Sequence, residues 1–394
     1  MNGPLKLVAL LVVALGIAAC SSGGSSNNLP VLTGQSPYSM HVLPASKDPD
    51  GVRVCPNLGP HYATCDVRFA GTAIGPAIPG WQPLDFQTVY GLPSGTNGSG
   101  QIVAIVDAYD NPNASTDIAT YRTQFGLGTA NFTKYNQNGQ TKNYPQGNKN
   151  WGLEEDLDIE MVSAVCPKCT IYLIEANSNN TSDLETAEAT AVTLGAHIVS
   201  NSWGCPGSNA CVSTSYFDKS GVVFLASAGD GSYGTQAPAA LASVVSVGGT
   251  VLQKSSSKYT ETAWHGTGSG CATGVTKPSW QHDSGCSYRT MNDVAAVSYF
   301  AAEYDSYGYG GWIVVNGTSV ASPMLGGVFG LAQNASSQNA GQKFWSLSHR
   351  KYKKELHDIT SGSNGTCSPS YLCTAGPGYD GPTGWGTPKG VKAF

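Results

Sequence analysis

Five short segments rich in apolar and small residues, at 102–107, 170–174, 197–203, 221–228 and 244–251, alternate with helical stretches at 115–125, 153–165, 182–194 and 319–333, of which 153–165 has apolar positions every three to four residues. Short segments dominated by apolar and small residues read as buried strands. The periodic stretch reads as a helix with one buried stripe. Strand and helix in alternation predict an α/β fold, with a central, mostly parallel sheet flanked by helices. No internal repeat breaks the pattern, and 49 Gly and 22 Pro mark a loop-rich globular chain.

The last of these helices begins in a chemically suggestive place. The apolar stretch Gly311-Trp312-Ile313-Val314-Val315 leads into Asn316-Gly317-Thr318-Ser319-Val320-Ala321-Ser322-Pro323. A strand ending in Gly-Thr that turns directly into a helix sets Ser319 at the helix N-terminus with its hydroxyl exposed, as a nucleophile requires. A serine there also serves as an ordinary helix cap, so its partners decide between the two. A hydroxyl becomes nucleophilic only when a neighbouring base takes its proton. Of the seven His, none sits at a helix start in a run that supplies such a base; His265-Gly266-Thr267-Gly268-Ser269-Gly270 reads as a loop.

Carboxylates are better placed. Residues 153–165 open with Glu154-Glu155-Asp156-Leu157-Asp158-Ile159-Glu160, and Leu153, Leu157, Met161 and Ala164 form the apolar stripe. Glu154 and Asp158, four apart, stack on one helix face beside that stripe. Two carboxylates at the margin of a core share a proton, which pushes one pKa up. Glu155, Asp156 and Glu160 are expected to face water and complement the helix dipole. A third acid, Asp230, follows the apolar run Val222-Val223-Phe224-Leu225-Ala226-Ser227-Ala228-Gly229. A carboxyl there donates a hydrogen bond to a developing oxyanion only when protonated.

Together Ser319, Glu154, Asp158 and Asp230 resemble the sedolisin family of serine-carboxyl peptidases, whose fold is subtilisin-like, over about residues 80–394. The resemblance implies an exported, acid-acting endopeptidase of a single catalytic domain. Glu154 would be the base for Ser319, Asp158 would share its proton, and Asp230 would stabilise the oxyanion. It further implies an outer role for Asp107, at the end of Ile102-Val103-Ala104-Ile105-Val106, and for Trp203 in Ser200-Asn201-Ser202-Trp203-Gly204. It also implies one structural calcium ion, held by side chains of Asp358 and Asp380 and carbonyls of Ile359, Gly376 and Gly378. Oxygen ligands of this kind suit a hard cation.

Lys6 followed by the apolar run Leu7–Ala19 reads as a targeting signal too short to span a bilayer. Ile17-Ala18-Ala19-Cys20 resembles a bacterial lipobox, implying cleavage before Cys20, a lipid anchor on Cys20 and a cell-envelope location; ordinary secretion is the other reading. The expected layout is a signal peptide at 1–19, a tether and short disulfide-bearing segment at 20–75, and a peptidase domain at 76–394. The other ten Cys fall in close pairs, 55/65, 166/169, 205/211, 271/286 and 367/373, as local disulfides do in an oxidising compartment. Cys166-Pro167-Lys168-Cys169 also fits a redox pair or half a zinc site, although no second such motif accompanies it. A net charge of -5 with 12% charged residues excludes a basic nucleic-acid binder. Peptide or protein substrates and a monomeric state are expected. About 55 residues separate Cys20 from the peptidase-like region, fewer than the long pro-domain common in such enzymes. A catalytically silent surface lipoprotein that uses the fold for binding is therefore the alternative.

Overall fold

The run Ile102–Ala108 (β5) is buried along nearly its whole length and lies in the middle of an eight-stranded sheet. The structure is a computed structural model that describes Met1 and residues 42–44, 50–337 and 341–394. Cys20, the tether and all but Met1 of the targeting segment lie outside the described residues. From Val42 onward the described residues belong to one compact unit.

Beside β5 run Thr170–Ala176 (β7) and then Asn131–Asn136 (β6) on one side. On the other side come Ile198–Asn201 (β8), Val223–Ser227 (β10), Val244–Ser255 (β12) and Lys258–Ala263 (β13), with Val294–Val297 (β16) also on β12. Every pairing but β12 with β13 is parallel. All five strands read from the sequence are present, the third divided into β8 and Trp203–Pro206 (β9).

The four predicted helices are Ala114–Gln124 (α2), Lys149–Val165 (α3), Thr181–Thr193 (α4) and Thr318–Ala332 (α5); Pro83–Val89 (α1) precedes them. Helix α3 starts four residues ahead of the predicted position because the side chain of Asn148 accepts hydrogen bonds from the N–H groups of Asn150 and Trp151. Helices α3 and α5 pack on each other and on the sheet, while α4 packs on β5 and β7. At Gly327 a Cβ would lie 2.4 Å from a methyl group of Val165. That close approach brings the start of α5 toward α3, which sets the geometry of the site.

Two smaller sheets use the segment before residue 76. Val42–Pro44 (β1), Val52–Arg53 (β2) and Arg68–Ala73 (β4) join Gly311–Asn316 (β18) and Ala301–Asp305 (β17) in an antiparallel sheet. Thr64–Cys65 (β3) pairs antiparallel with β9, which also carries Gln236–Ala237 (β11). Gly270–Thr276 (β14) and Tyr288–Met291 (β15) form a hairpin. All five close Cys pairs are disulfides, Cys166–Cys169 among them, which makes that motif structural.

Candidate active site

Strand β18 ends at Asn316, and Gly317 turns the chain into α5 with φ 148°, a conformation that favours glycine. Ser319 is the second helical residue. Pro323 lies inside this helix, and its missing N–H leaves the Ser319 carbonyl without its usual helical donor. Contrary to the expectation of an exposed hydroxyl, Ser319 is fully buried. Residues 63–67 cover it: the Ser319 N–H donates to the Asp66 carbonyl at 3.2 Å. The Ser319 hydroxyl donates to the Ser202 carbonyl at 3.3 Å.

Glu154 and Asp158 lie on α3, both fully buried. Burial above all, then the nearby charges of Asp158 and Asp107, holds Glu154 well above the usual carboxylate range; the Ser319 hydroxyl acts in the opposite direction, favouring the carboxylate. Neither Glu154 oxygen has a fully formed hydrogen bond, so Ser319 stands within electrostatic reach of Glu154 while its proton points to Ser202. Asp158 is likewise pushed up, first by burial and then by Asp107, and it accepts a 2.6 Å hydrogen bond from the Ser202 hydroxyl. Asp107, one residue before the end of β5, is fully buried and without a hydrogen-bond partner, and burial pushes it up to about 8. The Trp203 indole donates to the Val106 carbonyl at 2.9 Å, next to Asp107 rather than to an acid.

Asp230 lies just beyond β10. One of its oxygens accepts from the Thr318 N–H at 2.8 Å and hydroxyl at 3.0 Å, so the residue beside the nucleophile fixes its orientation. The other oxygen is buried without a partner. Both that oxygen and the Asp66 carbonyl oxygen lie within 3 Å of where a side-chain carbon on Gly317 would sit. Burial, reinforced by the charge of Asp66, pushes Asp230 well up, while Arg53 opposes the shift. A protonated Asp230 is therefore a donor beside the carbonyl that faces Ser319.

Glu155, Asp156 and Glu160 do not face water. All three are fully buried, and burial pushes each well up. Helix α3 is enclosed on every side by α2, α5, the sheet and β17, so no solvent face remains. Glu160 accepts from the Tyr304 N–H at 3.0 Å, and Glu303 lies close enough for its charge to raise it further. Sequence reasoning missed Glu303 and the hydroxyl of Ser202. Ser202 stood in the motif quoted for Trp203, and an acid flanked by Ala302 and Tyr304 in a buried strand was the available signal for Glu303. Nor did any sequence signal mark Asp66.

His265 pairs with Asp50 at 2.5 Å, in the predicted loop. No described histidine is among the groups that set the protonation of Glu154 or Asp158. In the C-terminal loop the Gly378 N–H faces the Asp358 carboxylate at 3.1 Å, and the Gly376 N–H donates to Asp380 at 3.0 Å. Asp380 is buried and within electrostatic reach of Asp358. The two carboxylates thus lie near each other and supply the oxygen chemistry a hard cation takes, each also accepting from a main-chain N–H. Among the described residues no three His, Cys, Asp or Glu side chains converge as a metal cluster. No described helix is long and apolar enough to cross a membrane.

A model of the subtilase family matches residues 128–365. Kumamolisin from Bacillus sp. (strain MN-32) is 30% identical, in an alignment covering 87% of this chain and 68% of the relative. Sedolisin from Pseudomonas sp. (strain 101) is 27% identical over 81% of this chain and 60% of the relative. The solved structure of Pseudomonas sedolisin, described as a serine-carboxyl proteinase complexed with two molecules of pseudo-iodotyrostatin, superposes with a TM-score of 0.69 at 25% identity. It covers 80% of this chain and 96% of that one. The chain thus spans about two thirds of the length of these curated relatives.

Proposed function

The chain belongs to the sedolisin family of serine-type peptidases within the subtilases, and from that premise we propose that it is an exported, acid-acting endopeptidase working through Ser319, Glu154, Asp158 and Asp230. The observation that carries this reading is the position of Glu154, which is buried within reach of the Ser319 hydroxyl and of Asp158, with no histidine among the described residues acting on either acid. Glu154 takes the Ser319 proton as the oxygen attacks a peptide carbonyl. Asp158, oriented by Ser202, shares the proton that Glu154 gains. Asp230, held by Thr318, donates to the oxyanion together with the Ser319 N–H. Glu154 then returns its proton to the leaving amine, and water hydrolyses the acyl-enzyme.

Asp107 and Trp203 support the site from behind, Asp107 as a buried acid, neutral in the acid range, beside both carboxyls and Trp203 by fixing the end of β5. The base must be ionised and the oxyanion donor protonated, so activity lies between the pKa of the Glu154–Asp158 pair and that of Asp230; the Ser319 and Ser202 hydroxyls, which favour the carboxylates against burial, keep the pair the lower of the two and the optimum below neutral. Five disulfides support export, and a lipid anchor at Cys20 remains our reading of the sequence. Asp358 and Asp380 with carbonyls of Ile359, Gly376 and Gly378 would hold a calcium ion, whose part is to brace the C-terminal loop. The test is digestion of denatured protein at pH 3–5 by the unaltered chain and by Ser319→Ala. Loss of cleavage in the variant is expected, and equal cleavage would place the nucleophile elsewhere.

A further inference from the structure

Residues 61–67 run through the site as an added strand. On one side Thr64 and Cys65 pair antiparallel with Gly204 and Trp203. On the other the Ala63 N–H donates to the Asn179 carbonyl and the Asn179 side-chain amide to the Ala63 carbonyl, each at 2.8 Å. Tyr62 and Asn180 form a further antiparallel bridge. Where this strand ends, the Asp66 N–H donates to the Ser202 carbonyl at 3.0 Å and its own carbonyl accepts from the Ser319 N–H at 3.2 Å. The carbonyl of the Asp66–Val67 peptide bond therefore sits on the main-chain donor of the nucleophile residue itself, as the carbonyl of a bond to be cut does.

The Asp66 side chain enters a built pocket. One carboxyl oxygen accepts from the Ser227 hydroxyl at 2.6 Å and from the Gln236 side-chain amide at 2.5 Å. The other oxygen is buried without a partner, which costs less for a neutral carboxyl than for a carboxylate, and burial pushes the group up to about 7. Gln236 reaches it only because Gly204 and Gly229 have no side chains: a Cβ on either would lie 2.2 Å or 2.9 Å from the Gln236 amide. Next to the pocket lies a cavity of about 140 Å³ bordered by Arg53, Asp230 and Gln236.

We propose that residues 61–67 occupy the peptide-binding cleft as a substrate does, and that the pocket made by Ser227 and Gln236 selects aspartic acid or asparagine at the residue whose carbonyl meets Ser319. The segment thereby competes with outside peptides for the site, so it slows cleavage by the unaltered chain without abolishing it. This rests on the peptidase reading of the site. The strand belongs to the same chain, so it competes at an effective concentration of roughly millimolar. The disulfide Cys55–Cys65 and the pairing of β4 with β18 pin its two ends. Should Ser319 attack the Asp66 carbonyl carbon, the bond to the Val67 nitrogen breaks and that nitrogen takes the proton Glu154 removed from Ser319. Strand β4 then keeps the new amine beside the acyl group, where the reverse attack remakes the bond.

The test reads binding rather than turnover. Fluorescence anisotropy at pH 4 measures a fluorescein-labelled peptide copying residues 62–68, with Ser in place of Cys65, on full-length Ser319→Ala protein. Adding Asp66→Lys should tighten binding by about tenfold or more, because a long cation does not fit the pocket and frees the cleft. Adding Asp66→Asn should leave binding weak, because the amide oxygen accepts the same two hydrogen bonds. Equal affinity in all three proteins overturns the proposal. If Asp66→Lys does not fold by circular dichroism, the Cys55→Ser/Cys65→Ser pair takes its place, with tighter binding expected and unchanged binding contradicting it. On the opened protein, a peptide with Lys in place of its Asp should bind about tenfold or more weakly, and equal binding overturns the pocket assignment. Tighter binding with no turnover in the matching Ser319 protein would count against the peptidase reading alone.

Discussion

The Ser202 hydroxyl donates a 2.6 Å hydrogen bond to Asp158, while the Ser202 carbonyl accepts from the Ser319 hydroxyl, so one residue touches the nucleophile and the acid behind its base. The bond to Asp158 favours its ionised form against the upward push of burial. Ser202→Ala should raise the Asp158 pKa and shift the acid limb of the pH–rate profile to higher pH, with roughly a tenfold loss at pH 4. Steady-state rates from pH 2 to 7 check this, each ratio taken against a parent with the same residue at position 66. An unmoved limb would mean that Asp158 has no part in the base.

Asp230→Asn offers a separate reading of the oxyanion donor. A carboxyl donates only while protonated, whereas an amide donates at every pH. The variant should keep activity in acid and lose less of it as pH rises toward neutral. Asp230→Ala should lose about 10²–10³-fold in kcat, the typical cost of removing such a donor. Identical alkaline limbs for the unaltered chain and Asp230→Asn would exclude the assignment.

Stability should track the buried acids. Asp156, Glu160, Glu188 and Glu303 have folded pKa values raised well above those of the unfolded chain, chiefly by burial. The folded state therefore binds more protons between the two values, and stability falls with rising pH over that window. It is complete below the ordinary carboxylate range near pH 4 and is lost as pH climbs through the raised values. Calorimetry should show a Tm lower by about 5–10 °C or more at pH 8 than at pH 4. A Tm that rises from pH 4 to pH 8 would contradict the burial of these acids as neutral groups.

Much of this architecture was legible from residue patterns. Residues 102–107 are apolar up to Asp107 because β5 is covered on both faces, and that is the signal a central parallel strand leaves. The start of α3 was misplaced because the cap Asn148 lies in a polar stretch that resembles loop. Glu155, Asp156 and Glu160 were misread because a charged residue in a helix ordinarily seeks solvent, and neutralisation by burial leaves no trace in the sequence. Asp66 was invisible for a different reason. Its role depends on contacts with Ser202, Ser227, Gln236 and Ser319, all distant in the chain, and on a two-residue strand too short to have a periodicity.

The C-terminal loop gives a metal prediction. A cation bound only by the folded protein at 100 to 1,000 times its Kd contributes about 3–4 kcal/mol. Chelator at pH 6 should therefore lower Tm by several degrees, and added calcium should restore it. Asp358→Asn should lower Tm and blunt the response to chelator. No change of Tm in chelator would remove calcium from the account.

The central claim is that a carboxylate, rather than an imidazole, activates Ser319, and the pH–rate profile of Glu154→Gln beside its parent tests it most directly. With all seven His retained, the parent should be most active below neutral pH, and Glu154→Gln should lose on the order of 10³-fold or more in kcat at every pH while keeping its circular dichroism spectrum. A Glu154→Gln chain that keeps its parent's rate, or a parent whose rate climbs steadily to pH 8, would contradict it.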